Sequence, residues 1–315
     1  MDAELAAIAA TLPRPELADP GATRKRLRDM YEAGEAQLSR SWAERLDVER
    51  TDVPSSEGHR IPIRIYTPRQ AATPRGALVN FHGGAFVAGD LDISESTVAR
   101  YADRAQVTVV DVDYRLAPEH PFPAGVNDCF AALQWTVDNA DRLDIDPARI
   151  AVGGNSAGGG LAAAVALMAR DRGGPAIAFQ LLLYPVLDDR LTTTSVREMT
   201  DTPMWDAPSC VHMWRYYLGD QAGGGGVSAY AAPARAADKP DGLAGLPPAY
   251  VLACEFDPLR DEDIAYAVAL LEAGVSVDLH EVAGTFHGYN DMPTAISKRA
   301  TAEIAGALQR AIGTP

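Results

Sequence analysis

"RIAVGGNSAGGGLAAAVALMAR", residues 149–170, decides the fold. An apolar run, Ile150–Val152, enters Gly153-Gly154-Asn155-Ser156-Ala157-Gly158, and an alanine-rich stretch follows. That is G-x-S-x-G between a strand and a helix, where a sharp turn lifts the serine hydroxyl to an exposed tip. Gly154 and Gly158 remove side chains that would collide across so tight a turn. Gly159, Gly160 and the alanines let the helix pack close to the sheet. Gly158-Gly159-Gly160-Leu161-Ala162-Ala163 also fits the spacing G-x-G-x-x-A. Those residues fall inside the expected helix, past the turn where a pyrophosphate would sit, so a dinucleotide site is not expected.

Outward from this turn, strands alternate with helices. Apolar runs at 76–81, 107–114, 149–154, 177–184, 249–256 and 276–282 read as strands, and 94–104, 123–139, 156–170 and 259–273 as helices. Continuous apolar runs suit a parallel sheet covered on both faces. The βαβα order gives an α/β class with a doubly wound sheet. "HRIPIRIYTP" (59–68) alternates Ile61, Ile63 and Ile65, which predicts a half-exposed strand. Before it, residues up to about 42 read as helical, with Leu27, Met30, Tyr31 and Leu38 at helical spacing. No strand is expected between 187 and 247. That stretch holds an aromatic helix, "MWDAPSCVHMWRYYLG" (204–219), and a glycine-rich loop, and an insertion of this kind is a place to build a lid.

Composition narrows the function. The 315 residues carry 28 Lys+Arg against 43 Asp+Glu, a formal charge of −15, with no basic cluster, so nucleic acid and anionic membrane are not expected partners. The three cysteines, Cys129, Cys210 and Cys254, form no C-x-x-C and read as reduced, buried thiols. Asp2 and Glu4 stand where an export leader carries positive charge, so a cytoplasmic protein is expected. Residues 151–169 are almost wholly apolar but broken by the glycine turn, and read as strand, turn and buried helix rather than a membrane span. No H-e-x-x-H or other metal-ligand pattern is present, and neither metal nor cofactor is expected.

A serine hydroxyl needs a base. His280 falls on the polar side of a strand and reads as solvated. His59 precedes a strand, His212 lies in the presumed lid helix and His120 in a proline-rich loop. His287, in "GTFHGYN" just beyond the last strand, is the candidate base. A carboxylate must orient it, and Asp257 at the end of "AYVLACEF" is the candidate. Asp257 before Pro258 is also a good helix cap, two uses that do not easily share one side chain, and Glu255 is the reserve. "LVNFHGGAF" (78–86) ends the first buried strand. Gly83 and Gly84 can turn backbone N–H groups toward a developing oxyanion, and Ala157, after the serine, supplies the third.

Together these segments resemble the hormone-sensitive-lipase-like esterases (bacterial family IV) of the α/β-hydrolase superfamily. The matching stretches are "HGGAF" (82–86), "DYRLAPEHPFPA" (113–124), "GGNSAGG" (153–159), "LLYP" (182–185), "DPLRDE" (257–262) and "FHGY" (286–289), in the family's order. The resemblance implies an α/β-hydrolase fold, with a mostly parallel sheet, helices on both faces and a helical cap. The core would comprise residues 46–187 and 226–315, and the cap 1–45 and 188–225. It implies a serine carboxylesterase acting on short- to medium-chain acyl esters, with Ser156, Asp257 and His287 as the triad. An amidase or an N-acyl or O-acetyl hydrolase would use the same triad, and a binding protein on this fold would dispense with His287. Phe86, Tyr184, Trp205, Trp214 and Tyr289 are candidate pocket residues, with Met204 and Met213. A small-molecule ester is the expected partner, and a homodimer is left open. Two positions depart from the family pattern: Ala85 stands for the third glycine of H-G-G-G, and Asn155 for the usual aspartate before the serine.

Overall fold

Buried backbone donors and acceptors must find partners, and here the apolar runs find them in one eight-stranded sheet. A computed structural model describes residues 1–15, 17–35 and 42–313, which leaves Leu38 outside the described residues. The elements run α1 (Ala3–Ala9), α2 (Pro20–Glu35), β1 (Leu46–Pro54), β2 (Arg60–Pro68), β3 (Arg75–Phe81), α3 (Leu91–Ala105), β4 (Thr108–Val112), α4 (Ala124–Asp138), β5 (Ile145–Asn155) and α5 (Ala157–Asp171). They continue with β6 (Phe179–Leu183), α6 (Thr194–Glu198), α7 (Ala207–Leu218), β7 (Ala249–Phe256), α8 (Arg260–Glu272), β8 (Val277–Phe286) and α9 (Ala295–Ile312). The strand order is β1-β2-β4-β3-β5-β6-β7-β8. Only the β1–β2 and β2–β4 pairs are antiparallel.

The sheet separates two cores. Ile61, Ile63, Val79, Phe81, Val110 and Val152 face α4, α5, α7 and α8. Leu78, Val109, Leu181, Leu183, Tyr250 and Leu252 face α1, α3 and α9. All three cysteines are free and buried, and burial pushes their thiols well above the ordinary value. The strand run and the helix within 151–169 are buried throughout except at Asn155. Among the described residues, no helix is long and apolar enough to cross a membrane.

Three differences from the sequence reading have physical causes. β2 alternates only at its start; Arg64 and Tyr66 on its other face are also buried, because α3 covers them and Asp92 and Glu95 take the Arg64 guanidinium. β1 lies where no strand is expected, since "LDVERTDVP" is charged. Its partner is β2 over nine residues from Leu46↔Pro68 to Pro54↔Arg60, and an edge strand of this composition resists further pairing. α9 also lies where no element is expected. Its buried stripe mixes Ile304, Leu308 and Ile312 with Ser297, Ala300, Thr301, Ala305 and Ala307, small residues that do not by themselves distinguish core from surface.

Every parallel strand ends at the same side of the sheet, so the loops after β3, β5, β6, β7 and β8 converge. The closest approach is at the start of α5. A Cβ on Gly158 would lie 1.9 Å from the Phe81 carbonyl oxygen, and one on Gly154 would lie 2.2 Å from it. Gly158→Ala is therefore expected to cost about 3 kcal/mol, read as a lower denaturation midpoint. Gly225→Ala, which meets nothing within 4 Å, should stay within about 0.5 kcal/mol of the parent.

Candidate active site

Ser156 sits between β5 and α5 at φ 56° and ψ −122°, a region that side chains other than glycine rarely occupy. Fixed contacts hold it there: its N–H donates to the Leu183 carbonyl (2.9 Å), and its carbonyl accepts from the N–H groups of Val186 (3.0 Å) and Gly160 (3.1 Å). Its hydroxyl caps no helix N–H and lies 2.9 Å from His287 Nε2. On the other side of the ring, His287 Nδ1 lies 2.6 Å from Asp257 Oδ2. The carboxylate can only accept, so Nδ1 carries the proton and Nε2 is left to accept from the serine.

The structure therefore brings together all three residues expected to act as a triad. Asp257 also braces the turn leading into α8, its Oδ1 accepting from the Leu259 N–H at 3.0 Å. The helix-cap use set against the triad in the sequence is not realised as such, since Leu259 is the cap residue of α8; the Asp257 side chain instead serves that turn and the imidazole, one oxygen each. Glu255, the reserve, is occupied elsewhere, accepting from the Gly284 N–H at 2.6 Å. Behind Asp257, Glu262 and Asp263 are buried, and burial raises both carboxyls well above the usual range, which favours their neutral forms. Glu262 Oε1 accepts from the N–H groups of Leu187 and Asp188 at 2.8 and 3.2 Å.

The turn after β3 corrects one expectation. The Gly83 N–H donates to Asn155 Oδ1 at 2.9 Å and so is not free to meet an oxyanion. The Gly83 carbonyl accepts from His82 Nδ1 at 2.8 Å. In a trans peptide the N–H points away from the carbonyl, so the pinned Gly83 carbonyl turns the Gly84 N–H the other way. No hydrogen bond among the described residues takes the N–H of Gly84, Ala85 or Ala157. Gly84, Ala85 and Phe86 all have positive φ (128°, 57° and 60°), which curls the turn and its amides. His82, which holds the Gly83 carbonyl, is a residue that the sequence reading did not weigh. Burial lowers its basicity and keeps it neutral, its ring stacks on Tyr114 at 4.3 Å, and its carbonyl accepts from the Tyr114 hydroxyl at 2.8 Å. The only available signal was its place in H-G-G.

The expected pocket residues divide. Trp205 lies beside the imidazole, with ring centroids 5.8 Å apart. Phe86 stacks on Tyr217 of α7 at 3.9 Å. Met204 lines a cavity of about 40 Å³ with Pro13, Pro15, Arg26, Leu27 and Met30. Trp214, Met213 and Tyr289 are buried in the cores. Tyr184 is buried too, edge-on to His287 at 4.7 Å, with its hydroxyl donating to Asn290 Oδ1 at 2.6 Å. The other histidines stand apart: His59 bridges Ser55 and Asp128, and His280 is half-buried on Tyr250 beside Glu303 rather than solvated.

Comparison with known proteins finds relatives over most of the chain. A family model described as "alpha/beta hydrolase fold" matches residues 78–291. The carboxylesterase NlhH of Mycobacterium tuberculosis is 41% identical over 255 residues, covering 80% of this chain and 79% of its own length. An arylesterase of Saccharolobus solfataricus is 36% identical over 254 residues, 80% of each chain. Among solved structures, a bacterial heroin esterase superposes with a TM-score of 0.94 at 43% identity, covering 100% of this chain and 98% of the other.

Asp257→Asn should keep the Leu259 hydrogen bond through its remaining oxygen but present an NH₂ group to Nδ1, forcing the wrong tautomer. Labelling of Ser156 by an organophosphonate is expected to slow by ~10⁴-fold, with the unfolding temperature nearly unchanged.

Proposed function

The chain belongs to the hormone-sensitive-lipase-like esterases of the α/β-hydrolase superfamily, and on that premise we propose that Ser156, His287 and Asp257 hydrolyse short- to medium-chain acyl esters. The observation that carries the proposal is the imidazole held between two oxygens, 2.9 Å from Ser156 and 2.6 Å from Asp257. The Ser156 hydroxyl attacks the ester carbonyl and gives its proton to His287 Nε2. Asp257 holds the ring and stabilises the imidazolium that forms. The N–H groups of Gly84, Ala85 and Ala157 receive the oxyanion, with Ala85 taking the place expected for Gly83. His287 returns the proton to the leaving alcohol, and a water activated by the same nitrogen releases the acid. No step calls on a metal or cofactor.

Residues 1–45 and 188–225 act as the cap over this centre. Their contacts support that role. Arg24 of α2 donates to the Val87 carbonyl at 2.6 Å, just past the oxyanion turn, and Tyr217 of α7 stacks on Phe86 within it. The Tyr216 hydroxyl donates to the Ala18 carbonyl at 2.7 Å and joins the two cap segments. α1, at the start of the first cap segment, is anchored on β8, with the Asp2 N–H donating to the Gly284 carbonyl at 2.9 Å. The net charge of −15 favours neutral esters over nucleic acid, and three unpaired thiols suit the reducing cytoplasm.

Purified protein should hydrolyse p-nitrophenyl acetate and butyrate, with chelators leaving the rate unchanged. Ser156→Ala is expected to lower the rate by ~10⁶-fold, and near-normal turnover in that variant would rule out the nucleophile. A p-nitrophenyl ester series from acetate to laurate should show the highest kcat/KM at butyrate to hexanoate.

A further inference from the structure

Ser195 lies in α6, in the segment that leads from β6 into the proposed cap, and is fully buried. Its hydroxyl lies 2.7 Å from the Pro258 carbonyl oxygen, which can only accept, so the serine donates. The same hydroxyl oxygen accepts from the Asp261 N–H at 3.2 Å, and the Ser195 N–H donates to Asp261 Oδ2 at 2.8 Å. Three hydrogen bonds thus join one residue to the turn between β7 and α8, the turn that carries Asp257. The Pro258 carbonyl and the Leu259 N–H belong to one peptide unit. That unit is trans, so holding the carbonyl on one side points the N–H to the other. There the N–H meets Asp257 Oδ1 at 3.0 Å. Among the described residues, the one other donor to this carboxylate is His287 Nδ1, on Oδ2 at 2.6 Å.

We propose that Ser195 is a positioning residue for the triad: by holding the Pro258 carbonyl it aims the Leu259 N–H, and that N–H sets the rotation of the Asp257 carboxylate toward His287. The proposal rests on the esterase reading and deepens it. A carboxylate whose second oxygen lost its donor could turn about its own bond, and the imidazole would lose the partner that fixes its orientation. Ser195 touches neither substrate nor reacting atoms and acts through a single peptide plane. The brace also ties the segment after β6 to α8 and its turn at a second point, besides Glu262 on the N–H groups of Leu187 and Asp188. The start of the proposed cap insertion and the orientation of the triad therefore share one support.

The test measures kcat and KM on p-nitrophenyl butyrate, with unfolding temperature, for S195A, D257N, S195A/D257N and T136V. Thr136 is the control: it is fully buried in α4, which carries no triad residue, and its hydroxyl donates to the Ala132 carbonyl at 2.8 Å. S195A is expected to lower kcat roughly 10-fold with KM within about threefold, the scale of a slightly misplaced catalytic group. In the D257N background the same change should cost less than about twofold, because the carboxylate it aims is gone. T136V should keep kcat within about twofold of the parent. Should S195A not fold, S195C keeps the volume with only a weak donor and is held to the same limits. The proposal is overturned if S195A keeps kcat within about twofold of the parent. It is equally overturned if S195A costs as much with D257N as without it, or if T136V lowers kcat as far. Ser156→Ala separates the two levels. An active Ser156→Ala removes the esterase reading itself, whereas an inactive one beside a near-normal S195A removes only the role of Ser195.

Discussion

The site depends on how closely the first turn of α5 can approach the end of β3. The Phe81 carbonyl oxygen occupies the space where side chains at 154 and 158 would begin, so only glycine permits the crossing. That contact lifts Ser156 into its unusual backbone conformation. It also places the hydroxyl beside the turn that starts one residue after Phe81. Gly159 against Pro185 and Gly160 against Val186 extend the same close packing toward β6. Nucleophile and oxyanion turn are thus set by backbone meeting backbone, a rigid form of contact.

Strain concentrates around this point. Ser156, Ala85, Phe86, Tyr184 and Met204 all hold positive φ without being glycine, and each lies in or beside the site. Such conformations persist only where the surroundings determine them more fully than local preference does. The surroundings here are two buried cores on either face of a sheet whose parallel strands end together. The stability of the sheet is what holds the catalytic loops in conformations they would not adopt alone.

Charge is placed with similar economy. Many carboxylates are paired with arginines, at the surface as in Arg45 with Asp103 and in the interior as in Arg235 with Asp189. Around the imidazole, by contrast, the hydrogen-bonded carboxylate is Asp257, while Glu262 and Asp263 behind it are driven toward neutrality by burial. On the serine side the residue beside the nucleophile is the neutral Asn155, which accepts from the Gly83 N–H.

The sequence by itself determined the parts governed by neighbours along the chain. The strand–glycine–serine–glycine–helix turn, the apolar runs of the parallel strands and the order Ser156, Asp257, His287 are all local patterns, and local sterics and periodicity fix what they can become. The tertiary structure decided what depends on the residue across the gap. Charged β1 became a strand because β2 offered it nine partners. The Gly83 N–H was lost to the oxyanion turn because Asn155, from another strand, took it. Asp257 serves both the turn before α8 and an imidazole because its two oxygens face different segments. Tyr184, Trp214 and Tyr289 became core because aromatic spacing does not say which side of a ring meets solvent. A backbone donor or a carboxylate oxygen is a short-range group, and its partner is known only once folding has brought distant segments within about 3 Å.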